Sequence, residues 1–307
     1  MLAFIVRRLL SLIPVLLLIT LAAFLLIHIV PGDAATYILS EGFATAEDIN
    51  KLRHELGLDQ PTWVQYVRYL NGIARLNFGR SLYTRRPVLD EIAARFPASV
   101  ELALASIIVA VLIGLFTGMI AAVKYNTLWD RGITTSVLFG FSMPDFWLGL
   151  MLIFLFAVRL GWVPAAGRGG VIHLILPALT LGIASSALIA RMTRSSLLDT
   201  LRQDYVRTAL AKGLDEHVVL LRHALKNSLI PTVTVVGLQF GTMLGRVVVT
   251  ESVFAWPGIG RLLLDAINAR DIPLIQGIVL VIATSFVLIN LVVDILYSYL
   301  DPRIRYH

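Results

Sequence analysis

Six apolar segments, each near the length of a membrane-crossing helix, constrain this chain more than any other feature of its sequence. They run near residues 9–30, 100–123, 133–160, 174–190, 229–249 and 274–300. A helix needs about 20 apolar residues to cross a bilayer core of about 30 Å. Because 57% of the 307 residues are hydrophobic and only 15% are charged, we predict an all-α membrane protein with six transmembrane helices.

The basic residues predict which way these helices face. Six spans put both termini on one side, where 13 basic side chains lie, against 5 on the opposite side once the long 31–97 loop is left out. Long loops cross the membrane largely regardless of charge, whereas short loops follow the positive-inside rule. We therefore expect both termini and the charged 195–229 loop in the cytoplasm.

The 31–97 loop reads as a small helical cap on the extracytoplasmic side. Thr45 and Asp48 have the spacing of a capping box, Gly57 suits a helix end, and Pro61 suits the first turn of a second helix. The predicted division is a tail and first span at 1–30, the cap at 31–97, and a transmembrane core at 98–307 that contains the charged 195–229 loop.

The sequence lacks the residues that several classes of function require. No GxxxxGK[ST] phosphate loop and no HExxH motif occurs, there is no cysteine, and the histidines show no metal-ligand spacing. We expect no metal, no cofactor and no enzyme activity in this chain. Its net charge of +6 lacks the basic stripe with interleaved aromatics that would indicate nucleic-acid binding.

A few ionisable residues fall inside or close to the apolar segments, namely Glu101, Asp145, Arg246 and Asp294. A self-sufficient secondary transporter or channel would use such groups as relays, which leaves that class open as the alternative function. Structural pairing and a place along a pore are both open for each of them.

Glycines recur every fourth residue in the fifth span, at Gly237, Gly241 and Gly245, and again at Gly114 and Gly118. This spacing puts them on one helix face, where another backbone can approach closely. We predict a packing seam there, within the chain or with another subunit.

The charged segment "RTALAKGLDEHVVLLRHALKNSLIP" begins at Arg207 and predicts two helices with a break. Gly213 suits the left-handed residue that ends a helix, and Asp215 suits the cap of the next. We expect an exposed first helix with small side chains, Thr208, Ala209 and Ala211. The second helix should bury Val218, Leu221 and Leu225.

That segment resembles the EAA loop of permease subunits of ATP-binding-cassette importers. Further blocks agree along nearly the whole chain: "VPGD", "LGLDQP", "NFGRSL", "FWLGL", "DYVRTA", "VFAWPGIGRLL" and "DPRIRY". The chain looks like the first of the two permease subunits of the oligopeptide, dipeptide, nickel and glutathione importers. The resemblance implies a type I importer permease fold in the prokaryotic inner membrane.

The resemblance also implies partners and sites. The partners would be a homologous second permease, two ATP-binding subunits that carry ATP and Mg²⁺, an extracytoplasmic substrate-binding protein, and membrane lipid. The surface that contacts the ATPase would be Arg207, Thr208, Ala209, Lys212, Gly213 and Leu214. Asp145 and Arg246 depart from the family pattern, and since a charge at membrane depth is costly, we predict that they line the substrate path.

Overall fold

A computed structural model describes residues 2–29, 54 and 59–300, and helices dominate this part of the chain. The helices are α1 (Leu2–Ile29), α2 (Thr62–Ala74), α3 (Val88–Val123), α4 (Leu128–Ser142), α5 (Asp145–Leu152), α6 (Val171–Leu201), α7 (Asp204–Ala211), α8 (Glu216–Val218), α9 (Lys226–Val253), α10 (Ile259–Asn268) and α11 (Ile272–Leu300). π-Helical turns extend α5 over Ile153–Arg159 and join α8 to α9 over Val219–Leu225. No named strand occurs among the described residues.

Four helices, α1, α3, α6 and α11, are long and apolar enough to cross a membrane by themselves. Two further spans are possible if each of two bent helix pairs counts as one, which gives up to six. The pairs are Leu128–Ser142 with Asp145–Arg159, and Glu216–Met243 with Gly245–Val253. Each predicted span therefore corresponds to a long helix or to a bent pair.

The third predicted span is not one continuous helix. It turns by 105° between α4 and α5. Met143 takes an extended conformation, and Pro144, which follows it, stands at the N-cap of α5. A proline restricts the residue before it and cannot donate a backbone hydrogen bond, so the helix ends at Ser142 and restarts at Asp145.

Two other spans are longer than predicted. α3 begins at Val88 rather than near Val100 and contains Pro97, so the last residues of the predicted cap and the second span form one helix. α6 continues beyond the predicted end at Ala190 as far as Leu201. The hydrophobic pattern marks the membrane-crossing part of each helix, whereas the helix itself runs on through polar sequence.

The described residues divide into two compact units, of which the first comprises residues 2–5, 97–261 and 286–300. Its central helix, α6, buries many small side chains, including Ala178, Gly182, Ser185 and Ala187. Small residues let other helices come close, and the core beside them contains Leu102, Leu181 and Trp256.

Among the described residues, the second unit comprises residues 6–29, 54, 59–96 and 262–285. Within it, Phe24 of α1 lies 5.3 Å from the ring of Tyr66 and 5.8 Å from that of Tyr69. Burial raises the pKa of Tyr69 to about 12. Gln276 donates from Nε2 to the carbonyl of Ala23 at 2.9 Å. These contacts tie α2 and α11 to α1.

The predicted cap is described only in part. α2 begins directly after Pro61, as predicted. The capping box at Thr45 and Asp48 and the helix end at Gly57 lie outside the described residues. The division at 1–30, 31–97 and 98–307 stays a prediction.

Candidate functional site

The turn between α7 and the next helix has the geometry that its sequence predicts. Gly213 has a φ of +80°, and its N–H donates to the carbonyl of Leu210 at 2.9 Å. Asp215 accepts a hydrogen bond from the N–H of His217 at 2.8 Å and so caps α8. Both local predictions are confirmed. No described atom lies within 4 Å of a Cβ built at Gly213, so backbone conformation rather than space favours glycine here.

Most of the predicted contact surface is exposed, namely Arg207, Thr208, Lys212, Gly213 and Leu214. The exposure predicted for Ala209 is wrong: this side chain is 7% exposed and packs in a cluster with Val206 and Val219. α7 turns this face inward because its other side carries the charged residues. Ala209 thus holds α7 against the following helix rather than facing outward.

The apolar face predicted for the second helix is also wrong. Val218 and Leu221 are exposed, whereas Val219 and Ala224 are buried. The segment winds as a π-helix from Val219 to Leu225. A π turn has more residues than the 3.6 of an α-helix, so it shifts which side chains face inward. The exposed apolar side chains therefore flank the turn at Gly213 and add to the surface around it.

α7 is held against the start of α9 by a hydrogen bond and by a small hydrophobic cluster. Asn227 donates from Nδ2 to the hydroxyl of Tyr205 at 3.0 Å. Together with the Val206, Ala209 and Val219 cluster, this bond joins α7 to the start of α9. The second helix continues into the fifth span without interruption at Asn227, so α7 is attached directly to a membrane-crossing helix.

The two charged residues predicted to line the substrate path pair with each other. Arg246 donates from Nη2 to Oδ1 of Asp145 at 2.6 Å and from Nε to Oδ2 at 3.1 Å. Its Nη1 lies 3.5 Å from the hydroxyl of Ser185. This is a bidentate ion pair in which three helices, α5, α6 and α9, take part.

Both members of this pair lie beside a break in a span. Asp145 is the first residue of α5, directly after the 105° turn. Arg246 follows the 58° bend between Met243 and Gly245. Their pairing is a structural finding, and their place along a substrate path stays a prediction.

Other ion pairs connect a loop to a helix, or two helices, within the same unit. Arg168 donates from Nε to Oε2 of Glu101 at 2.9 Å. Arg194 and Asp130 form a bidentate pair with both distances at 2.7 Å. The sequence left open whether Glu101 has a structural partner or lines a pore. It gave no indication of the Asp130–Arg194 pair, because both residues lie outside the predicted apolar segments.

A buried carboxylate was also missed. Glu251 is fully buried and accepts hydrogen bonds from the Ser99 hydroxyl at 2.5 Å, the Gly260 N–H at 2.8 Å and the Arg261 N–H at 3.0 Å. A Cβ at Gly258 would collide with this carboxylate. Glu251 therefore organises the loop that follows α9, and the glycines of "WPGIG" make room for it.

The glycine seam is present at two of its three predicted positions. A Cβ at Gly237 would collide with Val293, and one at Gly241 would lie 3.3 Å from Phe286. Gly245, which follows the 58° bend, is exposed, and no described atom lies within 4 Å of such a Cβ. Gly114 and Gly118 pack against α6 in the same manner.

Comparison with known proteins gives the class to which this fold and surface belong. The sequence matches the family described as binding-protein-dependent transport system inner membrane component over residues 114–306, and the N-terminal region of such components over residues 1–103. The chain belongs to this family, and it is a permease subunit of an ATP-binding-cassette importer that crosses the inner membrane several times.

Individual relatives match along their whole length. The dipeptide transport system permease protein DppB of Alkalihalophilus pseudofirmus is 47% identical over 334 residues, covering all of both chains. The glutathione transport system permease protein GsiC of Escherichia coli strain K12 is 47% identical over 306 residues, again covering both chains fully.

Solved structures show the same fold. A chain of the MetNI methionine ABC transporter superposes with a TM-score of 0.60 at 16% identity, covering 69% of this chain and 96% of that one. A chain of an amino acid ABC transporter superposes with a TM-score of 0.52 at 16% identity, covering 70% and 94%. The predicted type I importer permease fold is confirmed.

Proposed function

We propose that this chain forms, together with a homologous second permease, the translocation path for peptides or a related small solute. The observation that carries the proposal is the full-length identity to permease proteins named for dipeptide and glutathione transport. An extracytoplasmic binding protein would deliver the solute, and the permease pair would release it into the cytoplasm.

The energy would come from two ATP-binding subunits. ATP and Mg²⁺ would bind there, and this chain would hold no cofactor. The exposed residues Arg207, Thr208, Lys212, Gly213 and Leu214 would contact these subunits. The contacts between α7 and the start of α9 support this role, because a movement imposed on α7 would reach a membrane-crossing helix.

The proposed orientation puts both termini and the loop around Gly213 in the cytoplasm. The basis is the excess of basic residues on that side, 13 against 5 in the short opposite loops. In this orientation the ATP-binding subunits have access to α7.

Asp145 and Arg246 would line the path. A charged pair at membrane depth that is only partly buried supports this placement. If Asp145→Ser combined with Arg246→Gly leaves uptake rate and substrate preference unchanged, the placement is wrong.

The test of the proposed function is purification followed by transport. The affinity-tagged chain should copurify with a homologous permease and two ATP-binding chains, and the reconstituted complex should import a dipeptide or glutathione only with ATP and binding protein. Purification of the chain alone with ATP-independent uptake would instead support a self-sufficient transporter or channel.

A further inference from the structure

The guanidinium of Arg246 is the more accessible member of its ion pair. Its side chain is 32% exposed, against 15% for Asp145. Beside it, Gly245 is exposed and leaves open space. Contact between a charged side chain and lipid is energetically unfavourable within a span. The exposed part of Arg246 therefore faces another subunit or an aqueous path.

The pair also joins the two bent spans at their breaks. Asp145 begins the helix after one break, and Arg246 lies in the first turn after the other. Ser185, which is buried on α6, offers a hydroxyl at 3.5 Å from Nη1 of Arg246. A group that replaced Asp145 at the guanidinium would therefore act where both spans change direction.

We infer that Arg246 binds the carboxylate of the transported solute in exchange for Asp145, whose carboxylate then takes the ammonium group of the same solute. The site would select small zwitterions with a free carboxylate, such as short peptides. This inference rests on the proposed function, of which it specifies the substrate class.

The exchange is chemically balanced because every charge stays paired. The guanidinium fork accepts any carboxylate in the bidentate geometry that it already has with Asp145, and the hydroxyl of Ser185 can support either partner. A solute without a carboxylate would have to separate Asp145 from Arg246 and leave the guanidinium unpaired, which is unfavourable in a partly buried site.

The inference is tested on the whole reconstituted complex, with solute imported per ATP hydrolysed as the readout. The probes are dialanine with alanyl-alaninamide, and glutathione with its diethyl ester, each at a concentration that saturates the binding protein. The variant Asp145→Asn with Arg246→Gln leaves no lone charge, so it should assemble normally. Arg246→Lys keeps the charge without the fork. Arg168→Gln, which breaks the ion pair with Glu101, is the matched control.

For the carboxylate probe that the wild-type complex imports, we expect at least about tenfold preference over its blocked counterpart. The double variant should bring this ratio close to one, Arg246→Lys should lower it, and Arg168→Gln should keep it. An unchanged ratio in the double variant, or a wild-type ratio near one, overturns the inference and leaves the proposed function standing. A wild-type complex that imports neither carboxylate probe also overturns the inference, whereas uptake that needs no ATP contradicts the proposed function itself.

Discussion

Gly213 and Asp215 together set the direction in which the chain leaves α7. The glycine takes a φ of +80°, which ends α7, and two residues later the aspartate caps the helix that leads into α9. A positive φ is costly for a residue with a branched Cβ. The angle between α7 and α9 thus depends on a residue that has free space around it but an unusual backbone.

Replacing Gly213 with valine should uncouple the transporter without preventing its assembly. The strain is about 1–3 kcal/mol, which the chain can relieve by changing the turn and moving α7. We expect normal amounts of complex whose ATPase activity loaded binding protein no longer stimulates. Gly213→Asn, which tolerates positive φ, and Gly132→Val, at a helical glycine in open space, should both keep stimulation. Normal stimulation in Gly213→Val would argue against this account.

Glu251 should matter for stability more than any exposed carboxylate. Glu251→Ala would leave the partly buried Arg261 N–H and two buried donors, from Ser99 and Gly260, without their acceptor. Each such donor costs about 1–3 kcal/mol. We expect a lower melting temperature in detergent, measured by loss of monodisperse protein on size exclusion after heating. Glu216→Ala, at an exposed carboxylate, is the control, and equal melting temperatures for the two variants would contradict the role of Glu251.

At the residue scale, the sequence predicted what depends on neighbouring residues. The turn at Gly213 and the cap at Asp215 are local patterns, and both are confirmed. The Asp145–Arg246 pair joins residues 101 positions apart, and Ser99 and Glu251 are separated by 152. No periodicity in a single sequence connects such partners. The π-helical segment Val219–Leu225, which changed the buried face of the second predicted helix, has no comparable sequence signal.

At the scale of elements, close packing in the first unit depends on small residues at the crossing of α3 and α6. Gly114 and Gly118 lie against α6, where a Cβ at Gly118 would stand 2.5 Å from the carbonyl oxygen of Ala190. A backbone atom cannot move aside as a side chain can. The predicted glycine spacing therefore corresponds to a real seam, and the partner is a helix of the same chain.

Gly118→Ala should destabilise the protein by separating these helices. Overpacking of this kind costs about 1–3 kcal/mol, while alanine itself favours a helix over glycine. We expect a lower melting temperature for Gly118→Ala and an unchanged or higher one for Gly132→Ala, whose added methyl group meets nothing within 4 Å. If the two substitutions had the same effect on the melting temperature, the seam would not contribute to stability.

Hydropathy predicted the positions of the spans but not the bends within them. Every predicted span corresponds to a long apolar helix or a bent pair. The break before Asp145 was not predicted because proline is tolerated inside membrane helices, and composition alone does not distinguish a kink from a sharp turn. Asp145 and Arg246, which form the charged pair, lie directly after the breaks in the two bent spans.

At the scale of the whole molecule, the proposed role of the chain is to supply a path and a docking surface, and its sequence contains no GxxxxGK[ST] motif. Permease identity follows from the match over nearly the whole sequence. The docking surface and the ion pair lie in the same unit, connected through α9, which begins next to α7 and carries Arg246. A displacement of α7 by an ATP-binding subunit would therefore act on the helix that holds the proposed substrate site.

Single-cysteine cross-linking tests this arrangement most directly, because the chain has no cysteine of its own. Ala211→Cys, exposed at the end of α7, should cross-link to an ATP-binding subunit in the assembled complex. Tyr83→Cys, exposed in the second unit on the predicted extracytoplasmic side, should not. Cross-linking of the ATP-binding subunit from position 83 and not from 211 would contradict both the orientation and the coupling role of the loop around Gly213.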